Sequence, residues 1–304
     1  MQRLLFDYGN PQEKTLIIAI AAIHGNEPAG LKALQSLYDH LRKNDITLQG
    51  RLVGLLGNIQ ALHENRRFLH EDLNRIWSEA NISLARQRPD HSPELWELAQ
   101  IFNMLDAIQY HQYTHKIFLD LHTTSGENGT FVVACDYTSS KPLLQDICMP
   151  IVLGLEEKLE NTAIRYMQRQ GFCALAIEGG LHTSKSSVDH LLWGIWKILH
   201  NTTLVNDSKI PQLSEIKDQL SQRTAHLPAI LEVDYLHNVA LNDEFVMKPG
   251  FKNFDRVEQG QLLAKDKRGQ IYAKKSGYLL MPLYQKEGND GFFIVNQALQ
   301  EDWS

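Results

Sequence analysis

A continuous apolar run at residues 15–23, TLIIAIAAI, constrains the fold more than any other segment of this chain. A run this short and uniformly apolar is typical of a strand buried on both faces. Residues 28–43 follow, where Pro28 is a favoured first residue of a helix and apolar residues recur at helical spacing. A buried strand followed by an amphipathic helix predicts the start of an alternating α/β domain.

The same alternation continues through the first two thirds of the chain. Strands are predicted at residues 15–23, 51–58, 116–121, 131–137 and 174–178, and helices at residues 28–43, 93–112, 142–160 and 186–201. Strands that alternate with helices predict a largely parallel sheet covered on both faces. In such sheets, functional groups gather at the carboxyl ends of the strands.

The pattern changes after about residue 210. A helical stretch at residues 214–222 gives way to short strand-like segments separated by turns, at Pro249-Gly250, Gln259-Gly260, Arg268-Gly269 and Ser276-Gly277. Turns at this spacing are typical of small β-sandwiches and barrels. We therefore expect an α/β domain at residues 1–210 and a smaller all-β domain at residues 211–304.

Composition excludes several classes of protein. The 304 residues are 43% hydrophobic and 22% charged, and the net charge of −6 comes with scattered basic residues, which argues against nucleic-acid binding. The longest apolar run is far shorter than the ~20 residues of a membrane-spanning helix. The N-terminus lacks a signal-peptide pattern, and Cys135, Cys148 and Cys173 form no Cys-x-x-Cys pair. The sequence therefore predicts a cytoplasmic protein without a disulfide framework or a thiolate zinc site.

Polar residues that suit a metal ion occur where two of the predicted strands end. His24 and Glu27 lie three residues apart on a glycine turn, so both side chains can reach one ion. Asp120 and His122 end another strand, and residues i and i+2 of a strand point to the same face. Two histidines and one glutamate form a recurring catalytic zinc set that leaves one position for water. Asp120 is expected to support a histidine instead of binding the ion.

Further residues suit the hydrolysis of an amide. Glu178 ends the strand ALAIE, where an unpaired carboxylate suits a general base. The stretch from Arg66 to Arg75 supplies cations, and amide hydrolysis requires a cation or donor at the developing oxyanion. Arginine also binds a substrate carboxylate in bidentate fashion better than lysine does.

Four motifs, in this order, resemble the succinylglutamate desuccinylase/aspartoacylase family, which is related to the zinc carboxypeptidases. They are His24-Gly-Asn-Glu27, Arg67 with Asp72-Leu-Asn74-Arg75, Asp120-Leu-His122-Thr-Thr, and Ile177-Glu178-Gly179. The segment from Pro249 to Phe293 is also similar to the second domain of that family. The resemblance implies a zinc-carboxypeptidase-like mixed sheet flanked by helices, followed by a β domain that helps to form the substrate pocket.

The resemblance also implies a role for each matched residue. His24, Glu27 and His122 would bind one Zn²⁺ per chain, Arg67 would polarise the scissile carbonyl, and Glu178 would activate water. Asn74 and Arg75 would hold the carboxylate of the amino-acid half. Tyr284 is matched to a substrate-contacting tyrosine of the β domain, and Arg169 to a second carboxylate-binding arginine.

The implied activity is zinc-dependent cleavage of the amide bond of a small N-acyl amino acid. The sequence departs from well-known members at Asn58-Ile59, where Asn-Pro is usual, and after Glu178, where Gly-Gly-Leu-His replaces the Val-Gly-Pro of aspartoacylases. These departures put the particular substrate in doubt and leave the metal chemistry unchanged. The sequence does not indicate the oligomeric state.

Three alternatives remain open at this point. One is a zinc carboxypeptidase acting on short peptides, another is a metal-binding sensor without turnover, and the third is an esterase or other amidase on the same scaffold. Two other hydrolase classes are excluded, because the sequence contains neither His-Glu-x-x-His nor Gly-x-Ser-x-Gly.

Overall fold

The chain alternates between strands and helices up to residue 201 and then forms mostly strands. The computed structural model describes residues 1–206, 209–211, 213–240 and 242–298. The strands are β1 (Leu4–Gly9), β2 (Thr15–Ala21), β3 (Arg51–Leu56), β4 (His115–Thr124), β5 (Thr130–Ala134), β6 (Ile151–Leu153), β7 (Cys173–Leu181), β8 (Ile230–Asn238), β9 (Val246–Met247), β10 (Arg256–Val257), β11 (Leu262–Asp266), β12 (Gly269–Tyr272), β13 (Gly277–Leu280) and β14 (Asp290–Gln297). The α-helices are α1 (Ala29–Lys43), α2 (Ile59–Glu64), α3 (Glu79–Gln87), α4 (Pro93–Ile108), α5 (Tyr137–Ser140), α6 (Leu155–Lys158), α7 (Ala163–Arg169), α8 (Ser186–Asn201) and α9 (Ser214–Thr224). No helix within these ranges is long and apolar enough to cross a bilayer.

Most of the described strands belong to one mixed sheet. Its order is β1-β3-β2-β4-β7-β5-β6-β8-β14-β13-β10, and β9, β11 and β12 form a small second sheet. Strands β3, β2, β4 and β7 run parallel at its centre, with helices on both faces. The predicted α/β fold, with a mixed sheet flanked by helices and a β region after it, is confirmed.

The central strand β2 is apolar throughout because each of its faces meets a separate hydrophobic layer. Ile18 and Ile20 belong to a core that includes residues of α4, whereas Ile17 and Ala19 belong to a core that includes residues of α1 and α8. Successive strand residues point to opposite faces, so both kinds of position must be hydrophobic.

The prediction of a helix at residues 142–160 is wrong. This segment contains turns, the short strand β6 and the four-residue helix α6. Pro150 cannot donate a helical hydrogen bond, and Gly154 adopts a left-handed conformation with φ of 73°. The segment is apolar because residues such as Leu144 and Ile147 pack beneath the sheet. Burial of an irregular segment therefore produces the same hydrophobic spacing as a helix.

The predicted strand 131–137 also ends early. Strand β5 stops at Ala134, because the Asp136 side chain accepts hydrogen bonds from the backbone N–H groups of Thr138 and Ser139 and so begins α5. The other strands and helices predicted up to residue 201 are present with small shifts at their ends. Strand β1 and helices α2, α3, α5 and α7 were not predicted.

The sheet continues across residue 210. Strand β8 pairs in parallel with β6, and β14 pairs antiparallel with β8. One face of β14, with Phe293 and Val295, packs on the large core, and the other face, with Phe292 and Ile294, packs on a small C-terminal core. The division into domains 1–210 and 211–304 stays a prediction. Strand β14 belongs to both cores, as does β13, with Leu280 in the large core and Leu279 in the small one.

Burial of Glu156 in α6 predicts a measurable pH dependence of stability. Burial raises the pKa of this carboxyl to about 7, and its Oε2 has no hydrogen-bond partner within the described part of the chain. The unfolded chain ionises near pH 4.5, so Glu156 destabilises the fold progressively as the pH rises from about 4.5 to about 7. Glu156→Gln should therefore gain up to about 3 kcal/mol in the free energy of unfolding relative to the parent across that range.

Urea denaturation at several pH values measures this gain. Glu157→Gln is the matched control, because Glu157 is the exposed neighbour of Glu156 and carries the same charge. Parallel stability curves for Glu156→Gln and the parent would contradict the prediction.

Candidate active site

The sequence-predicted polar residues converge on a cleft at the carboxyl ends of the central strands. His24 and Glu27 follow β2, whereas His122 lies within β4 and Glu178 within β7. The cleft is also lined by Arg67, Asn74, Arg75, Asp120 and Asp290. A concave cleft in which several polar side chains converge is typical of a site for a small molecule.

A glycine turn brings His24 and Glu27 to the mouth of the cleft. A Cβ atom on Gly25 would collide with the backbone of Ala61 in α2, so only glycine fits between this turn and that helix. The Gly25 N–H donates to the carbonyl oxygen of Arg67 at 3.1 Å. The same turn therefore positions two potential ligands and fixes the segment that carries Arg67.

Three buried side chains form a potential metal centre. Nδ1 of His24 lies 2.9 Å from Oε1 of Glu27, and Nδ1 of His122 lies 3.2 Å from Oε2 of the same carboxylate. One ligand atom from each residue lies within 4.8 Å of the other two. This group could hold a metal ion.

The outer nitrogen of each histidine faces a carboxylate. Nε2 of His24 lies 3.1 Å from Oδ1 of Asp72, and Nε2 of His122 lies 2.8 Å from Oδ2 of Asp120. Metal-binding histidines commonly have such a partner, which fixes the ring and leaves the other nitrogen free for the ion. Both rings therefore present Nδ1 to the centre, and Asp120 lies where the sequence places a supporting group.

The electrostatics of the centre favour a positive charge. Burial alone would raise the pKa of Glu27, but His24 and His122 together hold it well below its ordinary value. Burial would likewise lower the pKa of His122, yet Asp120 and Glu27 raise it well above the usual range. When no cation is bound, the carboxylates of Asp120 and Glu27 therefore keep His122 protonated. A metal ion would balance the same negative charge.

Glu178 lies beside this centre without belonging to it. Its position in β7 is in register with His122 in β4, and the residue is 5% exposed. Burial, together with the charges of Glu27 and Asp120, raises its pKa well above the ordinary value in the absence of a metal ion. Its Oε2 has no hydrogen-bond partner in the parts of the chain that the structure covers. Glu178 could therefore accept a proton in the cleft once a bound cation offsets the negative charges of Glu27 and Asp120.

Arg67 is fixed by the carboxylate that also supports His24. Its Nε and Nη2 donate to Oδ2 of Asp72 at 3.2 and 2.8 Å, while Nη1 lies 3.7 Å from Oε1 of Glu27. The following residues are held by Glu94, whose buried carboxylate accepts the N–H groups of Leu69 and His70. The segment that carries Arg67 is therefore held in place, and Nη1 of Arg67 faces the potential metal centre.

Asn74 and Arg75 also line the cleft, and both have partners within the chain. Oδ1 of Asn74 accepts the N–H of Ala163 at 2.8 Å, which leaves its amide nitrogen 3.4 Å from Nε2 of His122. Nη1 of Arg75 donates to the carbonyl oxygen of Asn74 at 2.7 Å, and Nη2 forms an ion pair with Asp290. The substrate-binding roles implied for both residues stay predictions.

Two sequence-predicted residues lie outside the cleft. The Tyr284 hydroxyl accepts the N–H of Phe251 at 2.9 Å and lies 3.0 Å from the carbonyl oxygens of Lys248 and Phe251. Arg169 is exposed at the end of α7. The structure therefore does not bring the Tyr284 hydroxyl or Arg169 to the centre, and their substrate-binding roles have no support from this geometry.

Sequence reasoning missed three polar residues at the cleft. Asp290 begins β14, and Thr123 donates its N–H to Oε2 of Glu27 at 2.7 Å. His182 is half-buried and lies 2.7 Å from Oγ1 of Thr123 through Nδ1, in a recess that adjoins the cleft. The unusual Gly-Gly-Leu-His sequence after Glu178 is the signal that could have identified His182. Asp290 carries no comparable signal.

The cleft lining also includes apolar side chains, which are those of Val133, Leu155, Leu159, Ile164, Ala176 and Met281. A bound molecule would therefore meet hydrocarbon as well as charged groups.

Comparison with known proteins places the chain in a family. The model of the succinylglutamate desuccinylase/aspartoacylase catalytic domain matches residues 12–187. A succinylglutamate desuccinylase of Erwinia tasmaniensis is 25% identical over 283 residues, which are 88% of this chain and 79% of the relative.

Solved structures show the same fold at lower identity. A succinylglutamate desuccinylase/aspartoacylase from Rhodobacter sphaeroides is similar with a TM-score of 0.69 and 14% identity, over 97% of this chain and 88% of that one. Murine aminoacylase 3 is similar with a TM-score of 0.61 and 16% identity, over 94% and 96%. The family match covers more than half of the chain and contains His24, Glu27, Arg67, His122 and Glu178. This protein belongs to the succinylglutamate desuccinylase/aspartoacylase family.

Proposed function

We propose that this protein is a zinc-dependent hydrolase that cleaves the amide bond of an N-acyl amino acid. The observation that carries the proposal is the position of Glu178 beside a buried two-histidine, one-glutamate centre. Its Oε2 has no hydrogen-bond partner in the described part of the chain. A site that only bound a metal ion would require neither this carboxylate nor the adjacent Arg67. Their presence favours catalysis over the role of a metal-binding sensor.

The donor set fits zinc. Two imidazole nitrogens and one carboxylate are a recurring donor set of catalytic zinc sites. Nδ1 of His24 lies 2.9 Å from Oε1 of Glu27, Nδ1 of His122 lies 3.2 Å from Oε2, and one ligand atom of each residue lies within 4.8 Å of the other two. His24, Glu27 and His122 would hold one ion per chain, and three protein ligands leave a position for water.

The residues around the centre supply the other requirements of amide hydrolysis. Bound zinc would provide Lewis acidity and lower the pKa of a coordinated water from 15.7 to about 7. Glu178 accepts the proton of the attacking water and then donates it to the leaving nitrogen. Nη1 of Arg67, which makes no hydrogen bond to Asp72, stabilises the negative charge that develops on the carbonyl oxygen.

The substrate proposal draws on the relatives and on the cleft. The relatives are named succinylglutamate desuccinylase and aminoacylase. The amide nitrogen of Asn74 and the guanidinium of Arg75 lie in the cleft, where they would bind the α-carboxylate of the amino-acid half. We therefore expect N-acyl amino acids to be better substrates than peptides.

A hydrolysis panel tests this function directly. The zinc-loaded protein should hydrolyse N-acetyl, N-succinyl or longer N-acyl derivatives within a set of acidic, neutral and basic amino acids. Blocking the α-carboxylate as an amide should lower kcat/KM about 10- to 100-fold, because a charge-assisted contact is lost. Equal turnover of acid and amide would favour a general amidase, and a preference for dipeptides would favour a carboxypeptidase.

A further inference from the structure

The cleft contains an ion pair at the position where a substrate carboxylate would bind. Nη2 of Arg75 contacts Oδ2 of Asp290, and both side chains are mostly buried, with 21% and 16% exposed. The two residues are 215 positions apart in the chain, and both line the cleft that holds the potential metal centre. Arg75 is therefore already neutralised before any substrate enters.

The second arginine of the cleft is neutralised as well. Arg67 forms its ion pair with Asp72. Among the described residues that line the cleft and the adjoining recess, Arg67 and Arg75 are the only arginine or lysine side chains. The recess also contains His182, but burial lowers the pKa of that imidazole. The described lining residues thus offer no arginine or lysine without a carboxylate partner to a substrate that carries several carboxylates.

Asp290 is held firmly in this position. It begins β14, where it pairs with Asn238 of β8, and the N–H of Leu283 donates to the carbonyl oxygen of the adjacent Gly291 at 2.9 Å. The following residues of β14 are packed in both hydrophobic cores. A carboxylate on a rigid strand is preorganised and is not readily displaced from the cleft.

We propose that Asp290 is a specificity-determining residue that, together with Arg75, selects a substrate whose amine half carries both a free carboxylate and a free ammonium group. This inference rests on the proposed amide hydrolysis and specifies its substrate as a mono-N-acylated diamino acid. The carboxylate binds Arg75 and the ammonium group binds Asp290. Acylation on either nitrogen leaves both charges, so the α- and the side-chain-acylated forms share the required chemistry.

Charge balance is the physical reason. A substrate with a carboxylate alone would add an uncompensated negative charge beside Asp290 in a partly buried site, and like charges there disfavour binding. A substrate that carries both a carboxylate and an ammonium group leaves the net charge beside Arg75 and Asp290 unchanged. Asp290 therefore acts both by attracting the ammonium group and by rejecting acidic amino-acid halves.

The parent enzyme tests the inference through four matched substrates, prepared as acetyl and as succinyl derivatives. They are Nα-acylornithine, Nδ-acylornithine, N-acylnorvaline and N-acylglutamate, which differ mainly in the charge of the amino-acid half. We expect kcat/KM for the better ornithine derivative to exceed that for the norvaline derivative about 10- to 100-fold, with glutamate lowest. Turnover that is best for glutamate or norvaline would overturn the inference and leave the proposed function standing. Failure to hydrolyse any N-acyl amino acid would instead overturn the proposed function.

Asp290→Asn separates specificity from a structural role. The variant should reduce the ornithine-to-norvaline ratio of kcat/KM at least tenfold and increase turnover of the glutamate derivative, with unchanged zinc content. Glu287→Gln is the matched control, because it removes the same charge three residues away, where Glu287 faces Arg66 at 3.9 Å outside the cleft. Its substrate ratios should match those of the parent. An Asp290→Asn enzyme that loses activity equally on all four substrates would show that Asp290 only supports the fold, and would refute the inference.

Discussion

Glu178→Gln should reduce kcat about 10²- to 10⁴-fold while the protein keeps its fold, its zinc and its affinity for substrate. Glutamine has nearly the same shape as glutamate but cannot accept the proton of water, and a positioned general base contributes a factor of this size. Because Oε2 of Glu178 has no hydrogen-bond partner among the described residues, its replacement breaks no hydrogen bond of that oxygen with them. We therefore expect KM to stay within about tenfold of the parent value.

Zinc content, melting temperature and kcat measured on one preparation distinguish the possible roles of Glu178. Loss of zinc along with activity would identify it as a ligand, and loss of stability with normal kcat would identify it as a structural group. Glu156→Gln is the matched control, since it changes another buried glutamate with a raised pKa outside the cleft lining. That control should keep the kcat of the parent. A near-normal kcat in Glu178→Gln would remove the base from the proposed mechanism.

His122→Ala should lose the metal ion and, with it, the hydrolytic activity. The parent should contain close to one equivalent of zinc per chain, and removal of one of three protein ligands leaves too few to retain it. The variant also leaves Glu27 and Asp120 buried without the imidazole that both contact, so its melting temperature should fall. Elemental analysis together with thermal unfolding measures both effects.

A surface histidine provides the control for this experiment. His63→Ala changes an exposed residue of α2 and should keep full zinc content and activity. Treatment of the parent with a chelator should lower its melting temperature, because an ion that binds only the folded protein stabilises it. A His122→Ala protein that retains a full equivalent of zinc would refute the assignment of His122 as a ligand.

The potential metal centre was predictable because its residues lie at the ends of adjacent parallel strands. The apolar run of β2 identifies a central strand, and the residue after such a strand lies at the carboxyl edge of the sheet. The same rule applies to His122 and Glu178, whose strands β4 and β7 are neighbours in register. Local sequence therefore contained enough information to bring these residues together.

Contacts between distant segments could not be predicted in this way. Arg75 reaches Asp290 across most of the chain, and Asn74 is fixed by the N–H of Ala163, at the start of an unpredicted helix. Nothing in the spacing around Asp290 shows which face of the cleft its strand will form. The sequence signal for Tyr284 was a local match, whereas the direction of its hydroxyl depends on the loop at residues 248–251.

The helix predicted at residues 142–160 failed for a related reason. Hydrophobic spacing reports which residues are buried, and it does not report the backbone conformation that buries them. Pro150 and Gly154 were the local evidence against a helix across the whole segment, and they correspond to the beginning of β6 and the turn after it. In segments of this length, proline and glycine positions therefore indicate the backbone conformation better than hydrophobic periodicity does.

The shared strand β14 has a consequence for how the protein unfolds. Its two faces contribute to two hydrophobic cores at once, so the C-terminal strands cannot detach without opening the large core. Local opening normally proceeds in cooperative units, and units joined through a common strand are expected to open together. The amides of β8 and β14 should then exchange with solvent nearly as slowly as those of β2 and β4. Such rigidity would hold the wall of the cleft that carries Asp290 in place while a ligand binds.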